Sequence, residues 1–533
     1  MELTYGRLRA TDPARWRTTA VAWRRWATMA GRWASDLDGQ AARLRSAWSG
    51  AAATAAADYL GRLRHRLSLF RVTCWVADQA LSEFAAALGR AQVLLARAVE
   101  TARRAGLVIS DSGVVQAPSP IPVSVAPMRA AYRAAVQRTA ATEASTQLAA
   151  ALSVAESADA TAAGRITELL ATDGTATAIR HPSAGPAAVR RWWAGLSPAA
   201  RLRLAVTRAA WLGSLDGVPA AYRDVANRLR LAEQRADVDR TIAGAAGGER
   251  RRLRKIRDGL DALVDRLDAD DRPRGYLLRL DPAGEGRAVV AVGDPDRAGA
   301  VLTHVPGMTA DLASSAKELT RAERVAVRAG ELDPARAASA VMWLDYDAPD
   351  FVDEAAGRSR AEAGAAALRR FQDGLRATHE DGPGLFTVLG HSYGSLVVGR
   401  AAATAGLAAD AVVFVGSPGV GVDSADRLHV PAGQVWSTSS RSDVIQYAPL
   451  APDGLAKDLA LSRLVPGAGA MLAFGRPEDE LWHGRNPSDP TFGARVFSSQ
   501  ADAGHLGYWE PGRPALDALA GITLGRGPDV TPR

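Results

Sequence analysis

At about residue 274 the chain changes its hydrophobic period, and that change constrains the fold more than any other feature. From about residue 12 to 270 the sequence is rich in Ala, Arg and Leu, with apolar residues at three- and four-residue steps. Beyond it, short Val-rich runs alternate with helical stretches. "GYLLRLD" and "GRAVVAVGD" read as a two-stranded hairpin, and "AVLTHVPG" (300–307) as a third strand. A helix is expected over 310–330, a strand at "ASAVMWLDYDAP", a helix over 353–379, a strand at "LFTVLG" and a helix over 393–405. "DAVVFVGSPG", "GQVWSTSSRSDVI" and "ARVFSSQ" supply three more strands. Strands alternating with helices of this length imply an α/β fold with a mostly parallel sheet and helices on both faces. The expected organisation is therefore a helical hairpin (1–105), a Pro-rich linker (106–127), a helical region packing on the catalytic part (128–270) and an α/β domain (271–533).

In the helical half, Asp12 is a good N-cap and Pro13 suits a first helical turn. Trp16, Val21, Trp23, Trp26, Met29, Trp33, Leu37 and Leu44 then recur at helical spacing. Gly50 breaks the run, and a second helix follows from about 51 to 104, ending near Gly106; two long helices joined so tightly make a hairpin. "GLVISDSGVVQAPSPIPVSVAP" (106–127) holds four prolines and reads as a linker. A third helix is expected over 128–171, "TDGTATAIRHPSAGP" (172–186) as a loop, and shorter helices over 187–268. Trp192 and Trp193 read as anchors of this helical region onto its neighbour.

The net charge of +7 comes almost entirely from arginine; lysine occurs only at 255, 317 and 457. The arginines alternate with acids, as in "GERRRLRKIRDGL" (248–260), so no nucleic-acid partner is expected. Cys74 is the single cysteine, which excludes an internal disulfide. The first residues carry no apolar core of a signal peptide, and no window approaches a membrane span of ~20 apolar residues. A cytoplasmic protein, or one exported without a cleavable signal, is expected. No His or Cys pair has metal-ligand spacing, and no G-x-G-x-x-G follows an early strand, so neither metal nor cofactor is expected.

The chemistry centres on "LFTVLGHSYGSLVVGRAAA" (385–403). Gly390-His391-Ser392-Tyr393-Gly394 matches G-x-S-x-G, with an apolar strand before it and a helix after it. There the serine occupies a sharp, strained turn, and small residues two positions away let strand and helix approach. A nucleophilic serine needs a base, and the base needs an orienting acid, in the chain order Ser, acid, His. Three histidines follow. His505, in "SSQADAGHLGYWE", lies beyond the last strand, where a base belongs; His429 precedes a strand, at the wrong edge, and His483 lies in a loop that could line the site. Asp443 follows the strand "GQVWSTSS" and is the expected acid, with Asp423 and Asp426 as alternatives. The oxyanion donors are expected at the Tyr393 N–H and, in "HVPGMTADL", at the Met308 N–H, with Gly307 permitting close approach.

"RWWAGLSPAARLRLA", "LGSLDGVPAAYRDVANR", "HVPGMTADL", "WLDYDAP", "VLGHSYGSLVVGRAA", "VFVGSPGVGVDSA", "HGRNPSDPTFGARVF" and "GHLGYWE" occur in this order. Together they resemble an actinobacterial α/β-hydrolase family of formerly unknown function, over about 188–525. That resemblance implies an α/β-hydrolase fold and a serine hydrolase using Ser392, Asp443 and His505. Separately, Trp48-Ser49-Gly50 between two long helices resembles the Trp-X-Gly helical hairpins of type VII secretion, which implies a helical-hairpin partner protein. The Tyr-x-x-x-Asp/Glu that follows the second helix in those proteins is not found near 100–106.

The expected activity is hydrolysis of an ester, or a thioester or amide, on a small or lipid-like acyl substrate. "APDGLAKDLALSRLVPGAGAMLAF" (451–474), between acid and base, is expected to be a lid over an acyl pocket. The alternative is an interaction protein in which the hydrolase part is a scaffold of little turnover.

Overall fold

The computed structural model describes residues 4–117, 127–170, 185–380, 382–447 and 479–533. The expected lid (451–474), most of the 172–186 loop and the proline-rich half of the expected linker lie outside these residues. The chain clusters as two units, one of Met1–Asp173 with Asp333–Ala337, the other of Gly174–Leu332 with Ala338–Arg533.

The first unit is built on three long helices. A short α1 (Tyr5–Ala10) precedes α2 (Pro13–Ala47), α3 (Ala51–Arg104) and α4 (Pro127–Leu170). The Asp12 side chain accepts from Ala14 N–H at 2.9 Å, and Pro13 opens α2, satisfying the helix start as the sequence dictates. Gly50, at φ 105°, makes the turn into α3.

The packing face of α2 is not its stripe of large apolar residues. Ala20, Ala27, Ala30, Ala34 and Ala41 are the apolar residues it buries, while Trp26, Met29, Trp33 and Leu44 face outward. Alanine lets two helix backbones approach closely, so the small stripe makes the seam and the large one is left over. Arg24 enters the seam by pairing with the buried Asp78 at 3.0 Å. Along α3 burial begins at Val72 and continues to Ala102. Leu148, Ala151 and Ala155 of α4 pack there with Leu88, Leu94 and Leu95 of α3. The first half of the expected linker is also ordered. Val108–Ile109 (β1) and Val115–Gln116 (β2) form a small antiparallel hairpin, closed by the Gly113 N–H on the Ser110 carbonyl.

The second unit opens with five helices: α5 (Pro186–Ala194), α6 (Pro198–Thr207), α7 (Ala209–Gly213), α8 (Ala220–Gly244) and α9 (Gly247–Asp268). Its sheet has eight strands. These are β3 (Gly275–Asp281), β4 (Arg287–Val292), β5 (Ala300–Val305), β6 (Ala338–Leu344), β7 (Leu385–His391), β8 (Ala411–Val415), β9 (Val435–Thr438) and, after a separate hairpin of β10 (Glu480–Leu481) and β11 (Gly484–Arg485), β12 (Arg495–Val496). The spatial order is β12-β9-β8-β7-β5-β6-β4-β3. Only β4 runs antiparallel to its neighbours; every other pairing is parallel. The connecting helices are α10 (Ser315–Leu332), α11 (Val352–Ala355), α12 (Ser359–Thr378), α13 (Gly394–Ala405) and α14 (Pro514–Thr523). One helix was expected over 353–379; a turn at Gly357 splits it into α11 and α12.

Central strands β5 and β8 are buried at every position; β8 is an unbroken apolar run, while in β5 the buried Thr303 accepts from the Gln372 amide (2.7 Å) and His304 pairs with Glu318 (3.0 Å). At the β3 edge, α8 takes the place of a further strand. Arg223 donates to the Leu278 carbonyl (3.0 Å), Asn227 to Leu277 (3.0 Å) and Arg228 to Gly275 (3.1 Å), while Asp224 accepts from Leu277 N–H (2.8 Å). Trp193 is buried against Tyr222 of α8, at 4.8 Å between rings, and Trp192 meets Trp211 at 5.6 Å. Trp193 thus anchors α5 to α8, and Trp192 anchors it to α7, within this unit.

Candidate active site

The parallel strands β5, β7, β8, β9 and β12 end at one edge of the sheet, and the loops leaving that edge hold Gly307, Met308, Ser392, Tyr393, Asp443 and His505. Ser392 follows β7 directly and has φ 53°. Left-handed backbone is costly for a side-chain-bearing residue, about 1–3 kcal/mol, and is held only by its surroundings. Among the described residues one other non-glycine shares it, Thr309 at φ 66°, in the loop after β5. Both strained positions thus fall on facing loops.

The glycines beside Ser392 are required by contact. A Cβ on Gly390 would lie 2.5 Å from Ser395 Cα, and one on Gly394 would collide with the Val305 carbonyl. A Cβ on Gly307 would lie 2.6 Å from Ser392 Cβ, so the β5 loop runs against the serine. The Ser392 N–H donates to the Val415 carbonyl (3.0 Å), tying the turn to the end of β8. Neither the Tyr393 N–H, at the start of α13, nor the Met308 N–H has an acceptor among the described residues. The Tyr393 hydroxyl points elsewhere and donates to the Gly357 carbonyl at 2.8 Å.

Asp443, in the loop after β9, is fully buried. His505 presents Nδ1 to both of its oxygens, at 2.9 and 3.0 Å. The Tyr508 hydroxyl donates to Oδ2 (2.6 Å) and the Ile445 N–H to Oδ1 (3.1 Å). With Nδ1 committed, Nε2 is the nitrogen left for a proton acceptor's role. Burial alone would lower the His505 pKa; the charge and hydrogen bond of Asp443 outweigh it and hold the imidazole above its ordinary value.

Ser392 Oγ makes no hydrogen bond among the described residues, yet it shares the loop edge with this pair. Gly416 follows the Val415 that binds the Ser392 N–H, and a Cβ on it would lie 2.6 Å from Asp443 Oδ2 and 3.1 Å from His505 Nδ1. Gly416, at φ 54°, is the space into which acid and base fit.

Two residues that sequence reasoning missed complete the arrangement. His391, buried beneath Ser392, donates from Nε2 to the His505 carbonyl at 3.0 Å, with its ring 4.7 Å from the His505 ring. Burial, reinforced by the neighbouring His505, pushes its pKa well below the ordinary value, so it stays a neutral donor. Tyr508 links Asp443 to the Ser440 N–H, from which its hydroxyl accepts at 2.8 Å. Position within the pentapeptide marks His391, and the spacing of three from His505 marks Tyr508; both were visible, but neither spacing names a partner. Trp509 closes the cluster edge-on to His391 at 4.9 Å.

The alternatives fall outside the cluster. Asp423 accepts from the Arg485 N–H (3.3 Å), Asp426 is exposed, and His429 is exposed. His483 is buried and donates from Nε2 to the Ala355 carbonyl (2.8 Å); burial lowers its pKa to about 4. Among the described residues no group of three or more His, Cys, Asp or Glu could hold a metal ion, and no helix is long and apolar enough to cross a membrane.

The comparisons with known proteins agree with this architecture. A family described as "Alpha/beta hydrolase" matches residues 281–452. An uncharacterized protein of Mycobacterium tuberculosis (strain H37Rv) is 30% identical over 383 residues, covering 66% of this chain and 57% of that protein. The chain therefore spans little more than half the length of that relative. An uncharacterized protein of Mycobacterium bovis is 34% identical over 187 residues, covering 33% of this chain and 69% of its own length. With the eight-stranded sheet and these matches together, the chain belongs to an α/β-hydrolase family represented in mycobacteria.

Proposed function

We propose that the second unit is a serine hydrolase of carboxylic esters, with thioesters and amides as chemically allowed variants. The observation that carries this reading is the doubly hydrogen-bonded Asp443–His505 pair, set at the same loop edge as a serine at φ 53°. In the proposed mechanism Ser392 Oγ attacks the acyl carbon while His505 Nε2 takes its proton. The carbonyl electron pair moves onto oxygen, which the Tyr393 and Met308 N–H groups receive. Collapse of that intermediate breaks the bond to the leaving oxygen, which takes the proton from His505. Water then attacks the acyl-serine, again giving its proton to His505, and Ser392 is restored. Asp443 keeps the imidazole in the Nδ1–H tautomer and stabilises the imidazolium. Gly307 lets the oxyanion loop approach; losing one donor there would cost about 10²–10³ in rate.

An apolar acyl group is the favoured substrate. Phe351 and Leu506 are among the most exposed large apolar residues of this unit. Leu506 adjoins His505, and Phe351 lies two residues from Pro349, whose carbonyl accepts from the Thr309 N–H beside Met308. Together with Met308 they would rim the opening with apolar surface.

The test is labelling of the purified protein with a fluorophosphonate, beside Ser392→Ala. Labelling that disappears in the variant supports the reading. A folded wild-type protein that does not label, and that hydrolyses no p-nitrophenyl ester from acetate to palmitate, would remove it.

A further inference from the structure

The distal part of the α2–α3 hairpin has no core. All residues from Ala42 to Arg71 are described, and none is buried. From Val72 onward α3 buries eighteen of its residues. Helices in proteins owe most of their stability to a packed face, so an arm about 30 Å long without one is a surface waiting for something. Between Ala51 and Phe70 the half-buried residues of α3 are alanines and leucines, together with Ser68.

The outward chemistry of this arm is one-sided. It holds Arg43, Arg45, Arg62, Arg64, Arg66 and Arg71 against a single acid, Asp58. Arg64 pairs with Asp38 (3.3 Å). Arg43, Arg45, Arg62 and Arg66 have no carboxylate partner among the described residues. Tyr59, Arg62, Arg66 and Phe70 follow one another at helical spacing on α3, and the Arg62 guanidinium sits over the Tyr59 ring at 6.0 Å. Tyr59 is 61% exposed, and Trp48, at the tip of the hairpin, 46%.

We infer that this arm docks on an anionic lipid surface. Trp and Tyr partition to the headgroup region, where ring and polar edge are both satisfied. Unpaired arginines among them supply the attraction to anionic lipid. A helical protein partner would call for a continuous aliphatic stripe. Here the exposed stripe sets two arginines between two aromatics, and the leucines of α3 beside it are half-buried. The inference is independent of the hydrolase reading, because no residue of the arm belongs to the loop edge that carries Ser392.

The experiment is flotation of the full chain with vesicles of phosphatidylcholine alone and of phosphatidylcholine with phosphatidylglycerol, at low and high salt. Binding is expected only to the anionic vesicles, with release by salt. Arg62→Gln with Arg66→Gln should weaken it about twenty-fivefold, at ~1 kcal/mol or about fivefold per arginine. Trp48→Ala with Tyr59→Ala should weaken it at all salt concentrations. Circular dichroism and fluorophosphonate labelling read separately whether each variant is folded and whether Ser392 reacts. Equal binding to both vesicle types overturns the inference. So does binding that neither pair of substitutions changes. Absence of vesicle binding also overturns it, including the case where these substitutions instead abolish a dimer, retention of duplex DNA or capture of a helical partner protein.

Discussion

The two units bury their residues by opposite rules. In the first, α2 buries alanines against α3 and leaves Trp26, Met29 and Trp33 outside. In the second, Phe386, Trp343, Phe414 and the Val-rich strands are all buried in one continuous core. A hydrophobic stripe on a long helix therefore does not say which way the helix faces, whereas an unbroken apolar run between turns says that both faces are covered.

Substitutions can break or sharpen this contrast. The largest effect belongs to function: Ser392→Ala should lower kcat for an ester by about 10⁴-fold or more with little change in stability. A variant retaining activity within tenfold would move the chemistry away from this loop edge. Next comes Phe414→Ala in β8, expected to cost about 3–5 kcal/mol in urea unfolding of the second unit. Ala27→Leu should destabilise the first unit by about 1–3 kcal/mol through overpacking of the seam. If it stabilises instead, α2 does not pack on its alanines.

The pH dependence of the second unit supplies a fourth measurement. His483 has its folded pKa lowered to about 4 by burial, below the unfolded value of about 6.5. Between those values the unfolded chain binds the extra proton, so stability falls as pH drops through that window. The slope is at most one proton, about 1.4 kcal/mol per pH unit. His483→Gln should flatten it, as urea midpoints across that range will show. The smallest effect is Trp33→Ala, expected within about 0.5 kcal/mol because the side chain is 44% exposed. A loss of several kcal/mol would mean that the tryptophan stripe is a core after all.

Much of the sheet was legible because its signals are local. Strands β3 to β8 lie where apolar runs end in Gly, Pro or Asp, and chain order led to Asp443 and His505, which lie 2.9 Å apart. What was illegible depends on partners distant in sequence. The seam of α2 is set by how closely α3 can approach. The tie from His391 spans to a carbonyl at His505, and the space at Gly416 exists for a pair that follows it in the chain. The short hairpin at 108–116 was hidden by the prolines after it. Its ordering comes from local bonds, such as Ser110 N–H to the Val114 carbonyl at 2.9 Å, which composition does not reveal.

The side chains of α8 along β3 have a consequence for where this enzyme-like unit can be cut. A fragment beginning at Gly275 would contain every strand of the eight-stranded sheet and the whole Ser392 edge. It would also present the Gly275, Leu277 and Leu278 carbonyls bare, as an open ladder on which another molecule could add a strand. Such a fragment is expected to precipitate as it is made. The shortest piece that stays dispersed would have to begin before Ala220.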